Sequence, residues 1–225
     1  MSNKQAVLVI GCNSVIGMAL AQGVANRKSL SKILGVARSI SLDSTYGHEV
    51  LQVEKYSELD IDEILLNNQI LAIIVSFGVF DSSENLIQSM DLNLKVNTFE
   101  YLNILEKIVS SPYLTDDVEI HVTSSLLADF SRNSALIYAL SKQVTERVIL
   151  QKIRPFHKNI FIWKLSYVDT PLNSGRSRSP IKTSEREILK CAEKKTKPGM
   201  HYIPKYARIP ALFLKSLPTL HRYIK

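Results

Sequence analysis

Cysteine is scarce in this chain, with two residues among 225, Cys12 and Cys191, far apart and in no metal-ligand spacing. A disulfide-stapled scaffold and a cysteine-rich zinc site are excluded, and both residues read as reduced thiols. The five histidines, His48, His121, His157, His201 and His221, likewise show no metal-like spacing. Long apolar runs are missing as well. No tract approaches the roughly 18 uncharged apolar residues that a membrane-spanning helix needs. The opening MSNKQAVLVIG runs directly into a strand-like segment, without the apolar stretch and cleavage site of a secretion signal. A cytoplasmic location is the expectation. Internal repeats and low-complexity linkers are absent too, so the chain reads as one globular unit.

Acidic residues are missing from one region only. Residues 194–225 hold eight lysines and arginines and no acid, which leaves 20 basic residues against the chain's 21 acidic ones everywhere else. The net charge of +7 therefore belongs to the tail, and the body of the chain has no excess charge that calls for nucleic acid.

What is present is an alternation of short apolar runs and helix-like stretches. Gln5 to Ile10 is a continuous apolar run ending at Gly11, the signature of a strand buried on both faces. Ile16, Ala19, Leu20 and Val24 then recur at helical spacing. Further strand-like runs fall at Ile33 to Val36, Val50 to Val53, Leu71 to Val75, Val118 to Val122 and Ile160 to Trp163. Helix-like stretches lie at Leu59 to Asn67, Asn85 to Val109 and Ala135 to Ile153. This order predicts an α/β fold, a Rossmann-like doubly wound parallel sheet with helices on both faces. The predicted division is a main α/β domain over 1–200 and a basic amphipathic extension over 201–225 packed on it.

One pair of residues carries chemistry. Tyr138 and Lys142 stand four apart on a predicted helix, so they share a face. A nearby ammonium favours phenolate and lowers the tyrosine pKa from about 10. That brings the phenol toward the range where acid–base catalysis is efficient.

Tyr138-Ala-Leu-Ser-Lys142, Ser125 thirteen residues before the tyrosine, Asn97 in Val-Asn-Thr-Phe and the turn Gly11-Cys-Asn-Ser-Val-Ile-Gly17 occur together and in order. With Tyr167 to Leu172 they make residues 5 to 172 resemble the short-chain dehydrogenase/reductase family. The resemblance implies Tyr138 as general acid, Lys142 as the residue that holds the nicotinamide ribose and depresses the phenol, and Ser125 as the orienter of a substrate carbonyl. It implies Asn97 as the anchor of a water beside Lys142, with Asn93 as runner-up. It places the dinucleotide on Gly11, Asn13, Ser14, Ile16, Gly17, Arg38, Ser39, Gly78, Tyr138, Lys142 and Thr170, and it implies a homodimer or homotetramer.

Several positions depart from the family pattern. Ile10 replaces the threonine before the first glycine, and Val15 replaces the middle glycine of the turn. The Asn-Asn-Ala-Gly motif reads Val75-Ser-Phe-Gly78, and a Pro-Gly pair reads Leu165-Ser166. Cofactor choice follows from charge. The second strand ends Val36-Ala37-Arg38-Ser39, with a cation where an NAD-preferring site carries an acid, so NADP is expected over NAD.

The expected reaction is reduction of a carbonyl to an alcohol. A sugar-phosphate substrate is suggested by a tail similar to that of reductases in cell-surface polysaccharide and lipid-linked sugar synthesis. Arg176, Arg178 and Lys182, in the turn-rich interval Thr170 to Thr183, could meet such a phosphate or be solvated. The tail, divided by Pro204, Pro210 and Pro218, could cover the pocket, pack on a second subunit or touch a membrane surface. The alternative function is a nucleotide-binding redox sensor or scaffold without turnover.

Overall fold

Strand β1 (Ala6–Ile10) is fully buried along its five residues, and its side chains divide between two cores. Ala6, Leu8 and Ile10 join one apolar cluster, while Val7 and Val9 join the other. That period of two is what a strand covered on both faces requires. The computed structural model describes residues 5–39, 49–81, 85–129, 135–168 and 182–209.

Helix α1 (Val15–Lys28) follows β1, then come β2 (Lys32–Ala37), β3 (Glu49–Gln52), α2 (Ile61–Asn67) and β4 (Ile70–Val75). The second half holds α3 (Leu86–Leu94), α4 (Tyr101–Ser110), β5 (Glu119–Ser125), α5 (Leu136–Val148) and β6 (Ile160–Leu165). It closes with β7 (Tyr167–Val168), β8 (Lys182–Thr183), α6 (Glu185–Ala192) and β9 (Gly199–Ile203). Seven strands form one wholly parallel sheet in the order β3-β2-β1-β4-β5-β6-β9, and β7 pairs with β8 apart from it. The expected doubly wound α/β sheet is observed. Strand order reverses between β1 and β4, the point beyond which ligands bind in open α/β sheets.

Three details differ from the sequence reading. The sheet gains β9 at Gly199–Ile203, so a division at residue 200 cuts through a strand. Helix α6, unread in the sequence, starts at a capping box in which Ser184 and Glu187 satisfy each other's backbone donors. The stretch Asn85 to Val109 is helical throughout Leu86–Ser110, but Lys95–Glu100 form a π-helical turn between α3 and α4. A π turn inserts one residue into the helical repeat and re-aims the side chains it carries. Asn97 lies in that turn.

Candidate active site at the carboxyl ends of the central strands

The end of β1 meets the end of β4 at Gly11. Its φ of 93° lies in the left-handed region, and a Cβ there would stand 2.4 Å from the Ser76 carbonyl oxygen. Only glycine permits both the conformation and the approach. Ser14 caps α1, accepting a hydrogen bond from the Gly17 amide at 3.1 Å, and its Oγ lies 3.0 Å from Ser76 Oγ. Val15 is the first residue of α1, with Ile16 next in the same turn. The helix N-terminus, with its amide-rich end, therefore sits at the switch point. Asn13 donates to the Ser39 carbonyl at 2.6 Å, joining this turn to the end of β2. Arg38 beside it is exposed, with its guanidinium carbon 5.6 Å from the Tyr56 ring centroid.

Helix α5 carries three ionisable residues along one stripe: Tyr138, Lys142 and Glu146 are spaced by four residues. Tyr138 faces Ser125 at the end of β5, and its ring meets Phe80 edge-on at 5.0 Å. Lys142 is buried, with Nζ 5.1 Å from the Tyr101 ring centroid and 6.0 Å from that of Tyr138. An ideal Cβ on Gly78 would lie 2.7 Å from Asn97 Oδ1 and 3.4 Å from Lys142 Nζ. Bare backbone thus forms the floor beside the lysine.

Asn97 is held on every side. The Val79 amide donates to its Oδ1 at 2.9 Å, and its Nδ2 donates to the Val79 carbonyl at 2.9 Å. Its own carbonyl accepts from Thr145 Oγ1 at 2.8 Å, which ties α5 to the π turn. Asn93, buried one turn earlier, donates to the Asp81 carbonyl at 2.9 Å and accepts from Asn97 at 3.3 Å. The two amides together fix the segment after β4. Ser125, Tyr138, Lys142, Asn97, Gly78, Gly11, Asn13, Ser14, Ile16, Gly17, Arg38 and Ser39 all lie at the carboxyl ends of the strands or on the helices flanking them. Thr170, Arg176, Arg178 and tail residues 210–225 lie outside the described residues.

The electrostatics revise one expectation. Burial pushes Tyr138 up to about 12, and Ser125 only partly opposes it. The depression by Lys142 that their spacing implies is not seen, because Lys142 gives up its proton before the phenol does. Burial also pulls Lys142 down to about 8, against the attraction of Glu146.

Sequence reasoning passed over a group behind the site. Lys164 on β6 is fully buried, with Nζ 2.5 Å from Asp129 Oδ1 and 2.9 Å from Glu146 Oε2. Ser124 donates to the other Glu146 oxygen at 2.5 Å. The signal was a single lysine inside the apolar run Ile160-Phe-Ile-Trp-Lys-Leu165. Phe77, one of the departures, is core: it stacks on Tyr56 at 4.4 Å and tilts against Tyr101 at 5.0 Å.

No protein-family model and no curated protein matches the sequence. Solved structures do match in fold. A short-chain dehydrogenase from Burkholderia cenocepacia in complex with NADP superposes over 100% of both chains, with a TM-score of 0.75 and 17% identity. An alcohol dehydrogenase from the archaeon Thermococcus sibiricus, complexed with 5-hydroxy-NADP, matches at TM-score 0.67 and 18% identity, covering 88% of this chain and 96% of that one. A gluconate 5-dehydrogenase from Burkholderia cenocepacia, in complex with NADP and tartrate, matches at TM-score 0.69 and 14% identity, over 91% and 95%. From its sheet order to the helix that carries Tyr138 and Lys142, this chain has the fold of the short-chain dehydrogenases and reductases.

Proposed function

We propose that this chain is a divergent short-chain oxidoreductase that reduces a carbonyl to an alcohol with NADPH. The observation that carries the reading is the Tyr138 phenol facing Ser125, one helical turn from a buried Lys142, beside the bare backbone of Gly78. The turn Gly11 to Gly17 and the start of α1 would hold the pyrophosphate on backbone amides. Arg38 and Ser39 would meet a 2′-phosphate, and Lys142 the nicotinamide ribose. When bound, the dinucleotide supplies the hydride. Ser125 donates a hydrogen bond to the substrate carbonyl and orients it. Tyr138 holds its proton at the phenol oxygen and passes it to the carbonyl oxygen as that oxygen gains charge. Lys142 stabilises the phenolate left behind while its ammonium is intact. A phosphorylated sugar is the proposed substrate class.

The test is a fluorescence titration with NADPH and NADH, followed by NADPH oxidation over a carbonyl panel that includes phosphorylated sugars. Saturable binding favouring NADPH is expected. Arg38→Asp should weaken NADPH by about 10- to 100-fold, the loss of one charged hydrogen-bonding partner, and leave NADH little changed. Equal loss for both nucleotides would remove Arg38 from the 2′-phosphate site.

A second reading, a nucleotide-binding sensor or scaffold, is favoured by the high proton affinity of Tyr138 and by Val15 in the glycine turn. Binding without oxidation across the panel would select it.

The proposed assembly is a dimer of this chain. Leu136, Leu140 and Val144 form an exposed stripe on α5, offset by two residues from Tyr138, Lys142 and Glu146 and so on the opposite side of the helix. Exposed Leu86 and Met90 continue the apolar surface on α3, which packs against α5. Sedimentation velocity should give a dimer or larger, and Leu140→Asp should give a monomer. A monomeric parent chain would overturn the assignment.

A further inference from the structure

Four ionisable side chains lie buried together across α5, β6 and the turn after β5: Lys142, Glu146, Lys164 and Asp129. Lys164 is a cation in the middle of a strand, and such a charge persists in the interior only when paired and hydrogen-bonded. Among the described residues it has two carboxylate partners, Asp129 and Glu146. Lys142 stands one turn before Glu146 on the same stripe of α5.

We infer that Glu146 is a positioning residue that keeps Lys142 in its ammonium form, with Lys164 and Ser124 in turn keeping Glu146 a carboxylate. The inference rests on Lys142 belonging to the hydride-transfer site, although its test does not require turnover. Both Glu146 oxygens are engaged, Oε1 by Ser124 and Oε2 by Lys164. The groups facing Lys142 are Tyr138 and Glu146 from its own helix and Tyr101 from α4, with Asn97 Oδ1 and Gly78 beside them. The groups facing the carboxylates are Ser124 on β5, Lys164 on β6 and Tyr202 on β9. Tyr202 hydrogen-bonds Asp129, stands 5.7 Å by its ring centroid from Lys164 Nζ, and feels Arg208 beyond it. Tyr101 and Tyr138 are both held above the ordinary phenol range by burial and are neutral near pH 7. Glu146 is therefore the carboxylate that attracts Lys142, opposing the burial that draws its proton off.

The experiment follows the Cε resonance of Lys142 against pH in protein carrying 13C-labelled lysine, the resonance being identified by its loss in Lys142→Arg. In the parent protein it should titrate near pH 8. In Glu146→Gln, which leaves Lys164 paired with Asp129, the midpoint should fall by about one pH unit or more, a tenfold fall in the ratio of ammonium to amine at a given pH. Asp129→Asn removes the same charge from a residue off the Lys142 stripe and should shift the midpoint by less than half as much. If Glu146→Gln does not fold, Ser124→Ala, which makes Glu146 easier to protonate, should lower the midpoint in the same direction. An unchanged midpoint in Glu146→Gln, or in Ser124→Ala where it stands in, overturns the inference. So does an equal shift in Asp129→Asn. These midpoints are read without substrate, so a protein that never oxidises NADPH would end the oxidoreductase reading and leave this result standing.

Discussion

Tyr138→Phe is expected to lower turnover by about 10²- to 10⁴-fold, the usual weight of a positioned general acid, while leaving NADPH affinity nearly unchanged. The substitution removes one oxygen and little else. The phenyl ring keeps its edge contact with Phe80. Folding should therefore survive. With Tyr138 pushed up to about 12, its proton stays in place through the neutral range. Lys142, pulled down to about 8, is the group that titrates first as pH rises. Its ammonium is fully present only well below that value, so on the proposed mechanism kcat/KM for carbonyl reduction should fall above about pH 8 in the parent protein. Steady-state kinetics and a nucleotide titration on the same variant check both halves. Substantial turnover by Tyr138→Phe would remove the phenol from the reaction.

The runs that became β1, β2, β4 and β6 were legible because a strand covered on both faces is largely apolar along its length, whereas β5 showed itself only through Val118, Ile120 and Val122. Glu49–Gln52 was readable only in part, since its residues are half-buried or exposed at the sheet edge. Strand β9, Gly-Met-His-Tyr-Ile, has no such run, and pairing with β6 rather than composition makes it a strand. The shared face of Tyr138 and Lys142 was legible from helix periodicity, whereas Ser125 was singled out only by the family resemblance. The state of Tyr138 was not legible. Spacing gives proximity to Lys142, whereas burial decides the pKa, and burial of this phenol has no local sequence signature. Glu146 looked like an ordinary helix carboxylate. Only the folded sheet shows that it meets a lysine eighteen residues further on.

Lys164→Met should destabilise the protein by about 3–5 kcal/mol, because it leaves the two buried carboxylates of Asp129 and Glu146 without their shared cation. Against the 5–15 kcal/mol that typically holds a domain together, this is the largest single loss expected here. The pH dependence gives the sign. Carboxylates stranded in the interior take up protons more readily than in the unfolded chain, so the folded variant binds the extra proton. Its stability is therefore better kept at low pH and lost as pH rises. Glu146, which burial already raises, would move further the same way. Chemical denaturation at pH 5 and pH 8 should show the larger deficit at pH 8. A deficit below about 1 kcal/mol, equal at both values, would mean that the pair contributes little net energy. Adding Glu146→Gln and Asp129→Asn to Lys164→Met removes the charges on Lys164 and both its partners and should recover much of the loss, as replacement of a buried ionic group by neutral side chains often does. That triple variant would fold, yet Lys142 would have lost its counter-charge. Restored stability with NADPH binding that weakens at lower pH than in the parent would separate what the cluster does for the fold from what it does for the site.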